Sequence, residues 1–296
     1  MPLPPGLRAL DADLPACPRA LVDLLALQRD DEATTDQMAR VIESDMGLAA
    51  AVVRTVNSAM FGLLRRVQTV GEAVRYLGTR EVTAITVESA LRSSFAPTPA
   101  IEAVWAHASR ASLLMGRSAP ALGLDPMQAH SAGLFARSGQ AVLLSRAAEP
   151  YGQLLARVGR DRRALKQAEL DAFGISHAGL GSALCAAWGF APEVVKYVRE
   201  QLRAPADWAL QDRALRRLLG LGAVVDAAID AAADAAIHAT GASGGNAETS
   251  SLSSSDSPRW PAQASARAAE LAPFCACTAD ELTDAVRPPW QQLQRA

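Results

Sequence analysis

A helix starts with backbone amides that have no partner inside it, and this sequence repeatedly places side chains able to accept from them. Thr34 with Gln37 and Thr69 with Glu72 both match the capping box, in which a hydroxyl and a side-chain carbonyl or carboxylate reciprocally satisfy those amides. Asp45 is placed to start a further helix. Behind these caps apolar residues recur at helical spacing: Met38, Val41 and Ile42; Leu48, Val52, Val53 and Val56; Val70, Ala73, Val74 and Leu77. Gly78 supplies a helix stop. Pro97 and Pro99 then break the chain before a second run that opens with Ile101, Val104, Trp105 and Ala108, and Asp125 with Pro126 reads as the cap and first position of another helix. No segment sustains strand-like alternation between turns. The expected class is therefore all-α, with two packed helical lobes over residues 14–96 and 100–240 and a short C-terminal helical segment.

Residues 1–13 read as a tail, and GASGGNAETSSLSSSDSP, residues 241–258, has too little apolar surface to offset the entropy of ordering, so a flexible loop is expected there. Within residues 259–296, two short helices over 264–271 and 279–286 are expected to dock back onto the domain. Half of the 296 residues are hydrophobic, enough for a substantial core, and the formal net charge of -2 gives no global field to recruit nucleic acid or anionic lipid. The N-terminus lacks a charged region followed by an apolar run. The Ala-rich stretch from Leu218 to Ala239 comes nearest to a membrane span, but Asp226, Asp230 and Asp234 interrupt it at four-residue steps, which lipid would penalise. A cytoplasmic location is expected, with those three carboxylates facing water. Cys17, Cys185, Cys275 and Cys277 lack the spacing of a zinc site and read as reduced thiols.

Two histidines fall on apolar helix faces: His107 with Val104, Ala111 and Leu114, and His177 with Leu180, Gly181, Leu184 and Trp188. Each imidazole points inward, and an inward histidine is more often a hydrogen-bonded core residue than a ligand. His130 and His238 make weaker cases. Gly179-Leu180-Gly181 and Gly220-Leu221-Gly222 follow no strand, so neither reads as a phosphate loop, and Ser138 has neither a nucleophile elbow nor a base. Arg65, Arg66, Arg160, Arg162 and Arg163 read as solvated charges, with a partner's acidic patch as the alternative. Trp105 and Trp188 read as core anchors, whereas Trp260 and Trp290, beside prolines outside the main helices, can pack the C-terminal segment down.

The run IESDMGLAAAVVRTVNSAMFGLLRRVQTVGEAVRYLGTREV, residues 42–82, resembles the opening half of an HDOD domain, and the resemblance continues through VWAHAS (104–109), GLFARSG (133–139), AELDAFGISHAGLG (168–181) and CAAWGFAPEVVKYV (185–198). It covers about residues 14–200. HDOD domains are all-α relatives of HD-type metal-dependent phosphohydrolases, so the resemblance implies the same helical scaffold without the same activity. In the hydrolase pattern an early His, an adjacent His-Asp pair and later His or Asp residues converge on divalent metal that activates water. His107 and His177 stand where that pattern has histidines. Ala136 stands at the paired His, Arg137 at its Asp, and Gln140 at a Lys sometimes found beyond it. Where related chains carry consecutive histidines, this one reads Arg199, Glu200, Gln201.

Arg137 brings a permanent positive charge to a place that would need donors for a cation. No metal or other cofactor is therefore expected. A buried Arg137 would need a carboxylate, and Glu200, at another former site position, is the expected partner; snorkelling of Arg137 to solvent is the alternative. GLFARSG thus reads as a metal-binding helix that keeps Gly133, Leu134 and Gly139 for the fold and has lost its ligands.

The resemblance implies a non-enzymatic regulatory protein that binds other proteins in two-component or cyclic-di-GMP signalling, such as a response regulator, a histidine kinase or a cyclic-di-GMP-metabolising protein. Two alternatives remain open at this level: a divergent phosphohydrolase or phosphodiesterase using His107, His177 and Glu200, and a small-ligand sensor in which Arg137 accepts a phosphate or carboxylate of a nucleotide-like molecule. Met60, Phe61, Leu63 and Leu64, where a turn carries more hydrophobic area than a turn requires, form the expected interaction patch.

Overall fold

The computed structural model describes residues 14–28, 30, 32–58, 65–159, 161–241 and 260–295. The expected patch of Met60, Phe61, Leu63 and Leu64, almost all of the expected 241–258 loop, and the side chain of His238 lie outside the described residues. Every regular element that is described is helical.

The first lobe comprises α1 (Arg19–Leu27), α2 (Thr35–Glu43), α3 (Met46–Val56) and α4 (Val70–Ser93). The cap signals act as read. Thr34 and Gln37 complete a capping box, with the Gln37 amide donating to Thr34 Oγ1 at 3.2 Å and the Thr34 amide donating to Gln37 Oε1 at 2.7 Å. Asp45 accepts from the Leu48 amide at 3.0 Å. At α4 only half of the expected box forms: Thr69 Oγ1 accepts from the Glu72 amide, but the Glu72 carboxylate reaches one residue further back, to the Gln68 amide at 2.7 Å. Gly78, expected to end the helix, breaks it at φ 83° and the chain re-enters helix at once, a conformation that a side chain would resist.

The second lobe is built around α5 (Pro99–Ser118) and α6 (Pro126–Phe135). Asp125 caps α6 as expected, and Gly133 lets the two helices touch, since a Cβ there would lie 2.8 Å from the Ser112 backbone. Short helices follow: α7 (Ser138–Arg146), α8 (Ala148–Val158), α9 (Arg162–Phe173), α10 (His177–Ala187) and α11 (Pro192–Glu200). Trp105 packs on Phe95 at 5.5 Å, and Phe135 lies between Trp188 and Phe190 at 6.0 and 4.7 Å, all belonging to one continuous apolar core. Burying each such ring contributes roughly 2–3 kcal/mol. The Trp188 indole also donates to the Pro15 carbonyl at 2.8 Å and ties the start of the described chain to the second lobe.

After a 3₁₀ turn at Pro205–Leu210, the long α12 (Arg213–Gly241) crosses α5, and α13 (Ala262–Cys275) and α14 (Ala279–Arg295) cover it. Both C-terminal helices run past their expected ends at 271 and 286, carrying Pro273, Pro288 and Pro289 inside them, so Trp290 lies within a helix rather than beyond one. An interior proline costs about 3 kcal/mol, and apolar docking offsets it here: Trp290 is buried and meets Trp260 edge-on at 6.1 Å. On α12, Gly222 faces Tyr197 so closely that a Cβ would overlap the phenol. Among the described residues no helix is long and apolar enough to cross a membrane.

Candidate functional site

GLFARSG is a junction between two helices. The chain leaves α6 at Phe135, turns through Ala136 and Arg137, and enters α7 at Ser138, whose hydroxyl donates back to the Phe135 carbonyl at 2.9 Å. Gly139 lies against the His177 backbone with no room for a Cβ, which presses the junction onto the start of α10. Leu134 is fully buried. The fold-keeping role read for Gly133, Leu134 and Gly139 thus has a steric basis.

His177 opens α10 and is wholly buried. Its Nδ1 lies 2.7 and 2.8 Å from the two oxygens of Glu169, its backbone amide donates to Glu169 Oε2 at 2.8 Å, and the Tyr151 hydroxyl donates to Glu169 Oε1 at 2.6 Å. Burial lowers the His177 pKa, with Glu169 opposing, so the ring is neutral, carries its proton on Nδ1 and leaves Nε2 bare. Metal-binding histidines are commonly oriented by a carboxylate in this way. Glu169 and Tyr151 were not singled out from the sequence. The signal was present, because Glu169 sits midway between buried Leu165 and Phe173 at four-residue steps on one face of α9.

On the opposite side stands Asp226 of α12. Its side chain is 13% exposed, and it receives Arg162 from the start of α9 through Oδ2, while Arg137 and His107 lie 3.6 and 3.4 Å from Oδ1. Asp230, one turn on, lies 3.9 Å from Arg137 and 3.7 Å from His107. Arg162 also donates to Gln201 Oε1 at 2.6 Å, and Gln201 donates to the Ala136 carbonyl at 2.7 Å. Burial alone would raise the Asp226 pKa, but the guanidiniums of Arg162 and Arg137 outweigh it and hold the carboxyl below the usual range. Burial, then Arg137, pulls His107 down to about 3 against the attraction of Asp226, so the ring is neutral and its contacts with the two aspartates are not ion pairs. Both of its ring nitrogens are buried without a hydrogen-bond partner.

These contacts correct three expectations. Arg137 neither pairs with Glu200 nor snorkels: its side chain is 17% exposed and turns to Asp226, while Glu200 is held by Arg203 at 2.6 Å and Arg199 at 3.4 Å. Glu200 therefore does not join the group formed by His107, Ala136, Arg137 and His177. Asp226, Asp230 and Asp234 are not a uniformly solvated stripe; α12 carries them from the interior to the surface, and only Asp234 is exposed. Arg162 is mostly buried rather than solvated, whereas its neighbour Arg163 is exposed. His130, the weaker case, is buried away from this group, 3.3 Å from the Ala84 carbonyl.

The residues do not fit a catalytic metal. His107 and His177 retain neutral, ligand-competent nitrogens, but the guanidiniums of Arg137 and Arg162 supply the cationic charge that Asp226 and Asp230 face. A divalent ion there would meet two fixed positive charges. Among the described residues no three His, Cys, Asp or Glu side chains gather so as to hold a metal ion.

A family model for the HDOD domain matches residues 14–204. Among solved structures, a candidate phosphohydrolase from Shewanella amazonensis superposes with a TM-score of 0.69 at 20% identity, over 98% of this chain and 96% of its own. An HDOD domain protein of unknown function from Geobacter sulfurreducens gives 0.66 at 18% identity, over 98% and 95% of the two chains. A candidate signal transduction protein from Marinobacter aquaeolei gives 0.65 at 20% identity, over 97% of this chain and 60% of the other. At these identities the likeness concerns the fold. No curated protein matches the sequence. With the family pattern running unbroken from the segment before α1 to the residues just past α11, on the scaffold these structures share, the chain belongs to the HDOD domain family.

Proposed function

We propose that this HDOD protein is a regulatory module that acts by binding other proteins, in two-component or cyclic-di-GMP signalling, and that its vestigial metal site performs no hydrolysis. Response regulators, histidine kinases and cyclic-di-GMP-metabolising proteins are the partner classes that fit, and the cytoplasm is the compartment. The observation that supports this reading is the Arg137 and Arg162 pairing with Asp226. Hydroxide at neutral pH requires a cation to lower the pKa of bound water, and the guanidinium groups, which offer hydrogen-bond donors only, cannot coordinate water or lower its pKa as a metal does. The competing reading, a phosphohydrolase using His107, His177 and Glu200, loses its third ligand because Glu200 faces Arg199 and Arg203 instead.

The test is metal analysis of untagged protein together with phosphomonoester and phosphodiester assays in added Mn, Fe, Ni and Zn. Metal far below one equivalent and turnover at background are expected. Turnover that requires metal and disappears in His177→Ala would overturn the proposal.

A further inference from the structure

Next to the ion-pair cluster, α9, the end of α11, the 3₁₀ turn, α12 and α13 enclose a cleft of about 440 Å³, within the size range of small-ligand sites. Four arginines line it: Arg162, Arg163, Arg203 and Arg267, drawn from three separate stretches of chain. The carboxylates on the same walls are already engaged. Asp226 holds Arg162, Asp161 accepts from the Arg163 and Ala164 amides at 3.0 Å, and Asp230 lies beside Arg137 and His107.

Two of the rim arginines, Arg163 and Arg267, are less committed. Arg163 is exposed and its guanidinium makes no bond or ion pair among the described residues. Arg267 is paired at 2.6 Å with Glu270 three residues on, a carboxylate 59% exposed, and such pairs exchange readily with solvent and other anions. Arg203 shares Glu200 with Arg199. Two buried N–H donors on the lining, Arg162 Nε and Trp208 Nε1, also lack acceptors, and Trp208 is only 2% exposed. The four guanidiniums on the lining therefore outnumber its three carboxylates, each of which already has a partner. Planar guanidiniums approaching from several directions match the three terminal oxygens of a phosphate better than the two coplanar oxygens of a carboxylate.

We propose that this cleft binds a small phosphorylated metabolite, with its phosphate between Arg163, Arg203 and Arg267 and its remaining acceptors toward Arg162 and Trp208. The cleft shares Arg162, Asp226 and Asp230 with the ion-pair cluster and extends from it to a rim of arginines that the cluster does not use, so the inference stands whether or not the protein hydrolyses anything.

The experiment is titration calorimetry of the full chain with pyrophosphate and AMP, with adenosine and citrate as controls, and product analysis on the same samples. Binding of pyrophosphate and AMP, none of adenosine, and much weaker binding of citrate are expected. Arg163→Ala and Arg267→Ala should each weaken binding about tenfold, as expected for loss of a charge-assisted contact. Arg117→Ala, beside Glu81 on another face, should leave it unchanged. Thermal unfolding confirms that each variant is folded; Arg163 is exposed, and Arg267→Lys, which keeps the aliphatic stem and the charge, should lose less affinity than Arg267→Ala. Failure of pyrophosphate and AMP to bind at millimolar concentration, wild-type affinity in both rim variants, or equal binding of citrate would overturn the inference. Binding accompanied by hydrolysis would uphold the cleft and overturn the non-hydrolytic reading instead.

Discussion

The two flanks of the candidate site hold their histidines differently. On the α9 and α10 flank, Glu169 accepts three hydrogen bonds, two from His177 and one from Tyr151, and the residues involved lie 8 and 18 positions from it. On the α12 flank, Asp226 meets Arg162 across 64 residues of chain, and His107 sits beside it without any hydrogen bond. One flank is governed by directional bonds and the other by balance of charge. Directional bonds fail when geometry shifts, whereas charge balance tolerates contacts of 3.4–3.9 Å but not the removal of a charge.

That contrast can be broken most forcefully at Asp226. Asp226→Ala strands two buried guanidiniums and should lower unfolding free energy by about 3–5 kcal/mol in urea titration. A loss under 1 kcal/mol would mean that water already screens the cluster.

Acid should act without mutation, on His107 of that flank and on His130 in the core between α6 and α4. His107 is lowered to about 3 and His130 to about 4, against roughly 6.5 when unfolded. Above the unfolded value neither state is protonated and the full stability is present. As pH falls from there toward 4, the unfolded chain takes up protons that the folded chain refuses, so stability declines by about 1.4 kcal/mol per pH unit for each histidine. Asp226, held low, contributes stability above the ordinary carboxylate range and loses it as pH falls through its own lowered value. A flat urea midpoint between pH 7 and 4.5 would contradict this.

On the other flank, Glu169→Gln places an amide that must present a donor toward one of three incoming donors, and should cost about 2 kcal/mol, while Tyr151→Phe removes one bond and should cost about 1 kcal/mol. Equal costs would indicate that Glu169 is not the hub of the set. The smallest effect is expected at His107→Leu. Its ring nitrogens have no partners, so the change should stay within about 1 kcal/mol while removing one histidine's share of the acid slope. A large loss at neutral pH would show that a hydrogen bond to the imidazole had been missed.

The difference between the flanks also explains what was legible in the sequence. Caps such as Thr34 and Asp125, the all-helical class and the inward turn of His107 and His177 depend on residues within a few positions of one another, so spacing alone exposes them. Even the Glu169 to His177 bond lay within reach of that logic. The partner of Arg137 did not. No local pattern separates Glu200 from Asp226 unless the packing of α12 against α5 and α11 is known, and nothing between residues 137 and 226 encodes that packing locally. The apparent acidic stripe misled for the same reason, since a helix passing from core to surface places identical side chains in different media.

Gly222 carries a consequence for the ionic cluster one turn away. Because the Tyr197 ring occupies the space a side chain would take, α12 settles at a depth set by that phenol, and Asp226 inherits its reach from the seat of the glycine. Adding a single methyl at 222 would lift the helix and draw the carboxylate off both guanidiniums, so a residue that bears no charge acts as the depth gauge for the most charged point in the interior.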